Sequence, residues 1–135
     1  MLVQFNDDRP LFIQLAEAIE DAILSGAFLE ETQIPSTTEI SVSNKINPAT
    51  ALKGINILVE EGIIYKKRGV GMFVASGSSE KILSKRKQDF YDTFIEALIS
   101  EAEKLKLSKK EIISMIERGF DHGWFNYKKC DEAIW

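Results

Sequence analysis

Two helix-start signals stand one short helix apart in this chain, Ser36-Thr37-Thr38-Glu39 and Asn47-Pro48, and no other feature restricts the fold as much. The first has the form of a capping box, in which the serine hydroxyl takes the backbone N–H of Glu39 and the Glu39 carboxylate reaches back to Ser36. The second sets an asparagine cap before a proline at the first helical position, where the missing N–H costs nothing. The spacing predicts a short helix from Ser36 to about Asn44, a tight turn, and a further helix. That helix turns Ala51, Leu52, Ile55, Leu58 and Val59 inward and ends at Glu61-Gly62. Two helices joined this tightly, the second opening on small polar residues, form a helix-turn-helix.

The flanking segments complete the unit. Leu11, Leu15, Ala18 and Ala22, with Phe12, Ile19 and Ile23, recur at helical spacing and predict a helix from Pro10 to Ser25, capped by Asp8 and stopped at Gly26. Ala27 to Pro35 reads as a connection. After Gly62 the period changes: Ile63–Lys67 and Met72–Ala75 have strand composition, and the glycines of Arg68-Gly69-Val70-Gly71 permit a hairpin. A hairpin directly after a helix-turn-helix is a wing. Gly77-Ser78-Ser79 then reads as a short linker. Beyond it, Lys81–Leu105 places Phe90, Phe94, Leu98, Ala102 and Leu105 on one stripe. Ser108-Lys109-Lys110-Glu111 opens a last helix carrying Ile112, Ile113, Ile116 and Phe120. Two helices cannot bury this much apolar surface alone, so a partner is expected. The expected fold class is α+β, with a winged helix-turn-helix over residues 1–76 and a two-helix dimerisation tail over 77–135.

Taken as a sum, charge opposes a nucleic-acid partner, because the 135 residues carry a net −4. Its distribution decides more than its sum. Residues 63–75 hold Lys66, Lys67 and Arg68 and no acid, and screening confines each charge to a range of about 8 Å at physiological salt. The start of the chain lacks the basic and apolar regions of a signal peptide and no run is long enough to span a membrane, so a cytoplasmic location is expected. His122 and Cys130, the single histidine and cysteine, are too few for a metal site, and a nucleophile pair would need them adjacent in space with an orienting group, so they are read as an exposed histidine and a free tail cysteine. No cofactor, metal or enzymatic activity is expected.

The residues that suit DNA lie in two places. A helix in the major groove reads bases with its first turns, which here present Asn47, Ala49, Thr50 and Lys53. Asparagine suits adenine, threonine a hydrogen bond or a thymine methyl, and Lys53 a guanine or a phosphate. On the wing, Lys67, Arg68 and Gly69 suit the phosphate backbone or a minor groove. The aromatics Phe90, Tyr91, Phe94, Trp124, Phe125, Tyr127 and Trp135 suit an interface core, with the lining of an effector pocket as the alternative. Any small-molecule effector would sit at a seam between subunits.

These segments together resemble one family. Pro10-Leu11-Phe12, Ile34-Pro35-Ser36, Glu39-Ile40, Asn47-Pro48-Ala49-Thr50, Glu60-Glu61-Gly62-Ile63 and Arg68-Gly69-Val70-Gly71-Met72-Phe73-Val74 follow the order and spacing of the GntR regulators. The Asn-Pro-x-Thr opening and short helical tail resemble its YtrA subfamily. The resemblance implies a repressor that binds a palindromic operator as a homodimer. Ser36 and Thr38 would touch phosphate; Asn47, Thr50 and Lys53 would read bases beside Ala49; Lys67, Arg68 and Gly69 would form the wing contact. Phe90, Phe94, Leu98, Ile112, Ile116 and Phe120 would build the dimer interface. The chain departs from the family pattern in three places: Glu30-Glu31 where Pro-Gly is usual, Thr38 where an arginine is usual, and Ala49 where a polar residue is common. The alternative is a winged-helix interaction module with little or no DNA binding, suggested by the acidic balance, Thr38 and Glu30-Glu31.

Overall fold

The computed structural model describes residues 1–121, which fall into two compact units, the first Met1–Lys87 and the second from Gln88 onward. His122, Cys130, Trp124, Phe125, Tyr127 and Trp135 lie outside the described residues.

In the first unit, helix α1 spans Leu11–Leu24. Its start differs from expectation: Pro10 is the cap residue and no side chain caps the helix, so Asp8 does not serve. Gln14 instead anchors the chain that leads into the helix. Buried one turn into α1, it accepts from the N–H of Asn6 at 3.0 Å and donates to the carbonyls of Asn6 and Arg9, so the lead-in chain is tied down by a side chain already inside the helix. The connection read at 27–35 contains a two-residue strand, β1 (Gln33–Ile34), too short to carry an alternation signal.

Helices α2 (Thr37–Asn44) and α3 (Pro48–Glu60) form the helix-turn-helix. The expected capping box is present: the Glu39 N–H donates to Ser36 Oγ at 3.1 Å and the Ser36 N–H to Glu39 Oε1 at 3.4 Å. Lys45 takes the left-handed conformation that ends α2, and the Asn47 side chain accepts from the Ala49 N–H at 2.8 Å to begin α3. Ala51, Gly54, Ile55 and Leu58 face the core, but Leu52 is 42% exposed, contrary to the inward reading. The buried residues form an i, i+3, i+4, i+7 stripe in which Gly54 meets the Phe12 carbonyl of α1, and Leu52 lies to one side of that stripe.

Strands β2 (Ile64–Lys67) and β3 (Gly71–Val74) form the wing hairpin, and β1 adds antiparallel to β3, giving the order β1-β3-β2. Leu15, Ile19, Ile40, Ile55, Leu58, Ile64 and Val74 fill the core between these elements. Helix α4 spans Ser78–Phe90. The expected linker at 77–79 is therefore mostly helix, and it is not free. Ser78 is fully buried, its hydroxyl donating to the carbonyls of Ile63 and Ala75, and Ile82 joins the core. The Glu30 carboxylate accepts from the Ser79 N–H at 3.3 Å, a cap supplied from a distant loop. Further along α4, Lys85 pairs with the buried Glu20 and with Glu61, and Arg86 pairs with Glu20 and Asp21. Burial alone would lower the pKa of the Lys85 ammonium, but the hydrogen bonds it donates to Glu20 and Glu61 outweigh burial and hold the group above its usual range.

The described residues of the second unit are mostly helical. A π-helical turn, Tyr91–Ile95, precedes α5 (Glu96–Lys104), and α6 spans Lys109–Asp121. The expected single helix over 81–105 is thus α4, the π turn and α5 in series. Between α5 and α6, Lys106 has a positive φ and the Leu107 N–H returns to the Ala102 carbonyl at 2.9 Å. Ser108 Oγ accepts from the Glu111 N–H at 3.1 Å, opening α6 as its sequence signal predicts.

Candidate nucleic-acid interface

The wing and the start of α2 face each other across an open groove of about 550 Å³. Ser36 and Thr38 line one side, Lys67, Arg68 and Gly69 the other, so five of the nine residues chosen from the sequence come together here. Lys66 also lines it, and Glu39 is the one acid among its walls. Ser36 Oγ is engaged as a cap acceptor but retains its own proton to donate. Thr38, standing where the family has arginine, is exposed and free to offer a hydroxyl but no charge.

The wing is braced from outside the hairpin. Gly71 has φ +146°, and a Cβ there would stand 2.4 Å from the Gln33 amide nitrogen. The space is used: the Gln33 side chain lies across Gly71 and donates to the Val70 carbonyl at 2.9 Å. Gln33 thus fixes the tip from the neighbouring strand, a role with no sequence signal because β1 is so short. On the sheet face, Tyr65 and Phe73 stack with ring centroids 5.7 Å apart, and the Lys67 ammonium lies 5.2 Å from the Phe73 centroid. Arg68, at the tip, is exposed.

The other four residues lie on α3. Asn47 and Ala49 are exposed at its first turn, Thr50 is half-buried, and Lys53 is exposed one turn on. Asn47 is less free than its sequence position suggests, because its side-chain oxygen is occupied as the cap of α3. Its amide N–H groups and the second lone pair of that oxygen remain, but the cap fixes the direction in which a bidentate contact to adenine would have to be made.

The acids that depart from the family pattern lie at the far end of β3 from the wing tip. The Glu31 N–H donates to the Val74 carbonyl, its carboxylate accepts from the Tyr65 hydroxyl at 3.0 Å, and Glu30 caps α4. Neither lines the groove. The Tyr65 phenol is held above its ordinary value, chiefly by the hydrogen bond to Glu31.

Within the second unit, Phe90, Phe94, Ile116 and Phe120 are exposed, while Leu98 and Ile112 are half-buried. The Phe90 and Phe94 rings lie 5.3 Å apart. No group of three or more metal-ligating residues occurs among the described residues. No helix among them is long and apolar enough to cross a membrane.

Comparison with known proteins agrees with this geometry. The profile of the bacterial regulatory proteins of the gntR family matches residues 13–74, which contain the helix-turn-helix and the wing. A GntR-family protein from Bacteroides thetaiotaomicron, known from its crystal structure, is 35% identical with a TM-score of 0.72, over 83% of this chain and 97% of that one. The HTH-type transcriptional regulator YhcF of Bacillus subtilis is 25% identical over 84% of this chain and 93% of its own length. The DNA-binding domain of AraR in complex with operator ORX1 is 29% identical with a TM-score of 0.51, over 56% of this chain and 95% of that one. Other curated relatives are longer, and this chain spans less than a third of them. A winged helix-turn-helix with these motifs in this order, together with such relatives, places the chain in the GntR family of bacterial regulatory proteins.

Proposed function

We propose that the chain is a cytoplasmic transcriptional repressor of the YtrA type that binds a palindromic operator as a homodimer. The observation that carries this reading is the groove between α2 and the wing, where Ser36, Thr38, Lys67, Arg68 and Gly69 meet although Ser36 and Gly69 are far apart in sequence. A phosphate backbone lying there would meet two hydroxyls and a cluster of cations, while the first turns of α3 enter the major groove beside it. Asn47, Ala49, Thr50 and Lys53 are the residues α3 would bring to DNA. The net −4 does not oppose this, since Glu30 and Glu31 lie away from the groove.

Pairing of two copies would bury the apolar surface from Gln88 onward, with Phe90, Phe94, Leu98, Ile112, Ile116 and Phe120 as its core. Residues 1–76 would supply DNA binding and residues 77–135 dimerisation. Two recognition helices would then meet successive major grooves about 34 Å apart. The YtrA assignment is supported by Asn47-Pro48-Ala49-Thr50 and by the short helical tail.

The test is selection of bound duplexes from random and genomic DNA at two salt concentrations, with the mass of the free protein measured in solution. Recovery of one inverted repeat, bound more weakly at the higher salt by a dimer, is the expected result. Weak and unselective binding at both salts would overturn it.

A further inference from the structure

Lys53 sits on the exposed side of α3, yet its ammonium is drawn across to α1, where it lies 4.1 Å from the centroid of the Phe12 ring. The helix crossing beneath it explains why. Gly54 follows Lys53, and a Cβ at Gly54 would stand 2.7 Å from the Phe12 carbonyl oxygen, so α1 and α3 approach closely at this point. That approach brings the half-buried ring within reach of the lysine stem. The ring face attracts a cation through its quadrupole. None of the ion pairs among the described residues includes Lys53. The ring therefore holds the ammonium without neutralising it, as a carboxylate partner would.

We propose that Phe12 is a positioning residue for Lys53, holding its ammonium at the seam of α1 and α3 so that it acts on the DNA backbone as a point charge and reads no base. The proposal rests on the DNA-binding reading above. A lysine that reads guanine must extend to O6 and N7 on the floor of the major groove. An ammonium held sideways on a neighbouring helix is withdrawn from that floor. A phosphate asks less, because a lysine meets it through charge with little demand on direction. The held position also removes part of the rotamer entropy that an unrestrained lysine loses on binding.

The experiment uses the full chain, the duplex selected by the wild-type protein, and a random duplex of equal length. Lys53→Gln is expected to weaken both by the same factor and to reduce the slope of log affinity against log salt by about 0.9. Phe12→Leu keeps apolar bulk but removes the ring; it should weaken both duplexes about two- to five-fold. Phe12→Tyr should restore the affinity, and Phe12→Leu should have no further effect once Lys53 is replaced by Gln. A changed base preference at one operator position in Lys53→Gln would overturn the proposal. So would an equal loss from Phe12→Leu with and without Lys53. A separate arm needs no DNA: in the free protein the Lys53 side-chain protons should be shifted upfield by the ring, and the shift should vanish in Phe12→Leu. An unshifted Lys53 overturns the pair itself, whereas a shifted Lys53 in a chain that binds neither duplex overturns the DNA reading and, with it, the role of the pair.

Discussion

The backbone of Gly54 on α3 faces the carbonyl oxygen of Phe12 on α1 so closely that a Cβ would stand 2.7 Å from it and 3.3 Å from a methyl of Leu15. The nearer neighbour is backbone, which cannot swing aside. Gly54→Ala must therefore push the two helices apart. The gain in helix propensity, about 1 kcal/mol, is set against an overpacking cost of about 1–3 kcal/mol. We expect a net loss of up to about 2 kcal/mol in denaturant unfolding, with the slope of the transition unchanged. A variant more stable than the wild type by the full propensity gain of about 1 kcal/mol would mean that the crossing can open without cost.

Glu20 on α1 is 2% exposed and meets Lys85 and Arg86 of α4, whose side chains are 34% and 35% exposed. The pairing is asymmetric, and so are the expected costs. Glu20→Gln leaves two cations that can still reach water, and solvent screening limits the loss to about 1 kcal/mol. Replacing both Lys85 and Arg86 by Met leaves a buried carboxylate with no compensating charge, for which about 3 kcal/mol is expected. Thermal unfolding of the two variants measures the difference. Equal losses would show that the carboxylate finds other partners.

The elements that position the groove were legible because they are written in local signals. The capping box at Ser36, the Asn47-Pro48 start of α3 and the glycines of the wing each act on their own neighbours, so the sequence alone places them. What escaped was long-range. The two residues of β1 form only because β3 offers an edge, and Gln33 braces the wing through a partner far along the chain. Ser78 resembles a linker residue until the carbonyls of Ile63 and Ala75 take its hydroxyl. Glu30 and Glu31 read as acids added near DNA because composition cannot say which way a side chain turns. The same limit applies to Lys53, whose ammonium rests on a ring contributed by another helix.

Glu31 holds φ at +63° without being a glycine, a conformation that costs an ordinary residue about 1–2 kcal/mol. The Pro-Gly usual in the family at Glu30-Glu31 would carry no such cost at the second position. Glu31→Ala and Glu31→Gly both lose the hydrogen bond to Tyr65, but only the glycine relieves the backbone. The glycine variant should therefore be the more stable of the two by about 1 kcal/mol. Equal stabilities in chemical denaturation would show that the left-handed backbone is not strained here.

The Tyr65 hydroxyl gives the last prediction, a titration. Its proton is held by the hydrogen bond to Glu31, which raises the phenol above its ordinary value near 10. The folded chain thus binds this proton more tightly than the unfolded chain does. The bond's contribution to stability is whole below the unfolded value and is lost as pH rises through the folded one. Phenolate absorbance of the wild type, less that of Tyr65→Phe, isolates this group from Tyr91 and Tyr127. We expect its midpoint above that of a free tyrosine, moving down toward 10 in Glu31→Ala. A midpoint unmoved by that substitution would show that Glu31 does not hold the phenol in solution, and that the strained Glu31 backbone is retained without help from this bond.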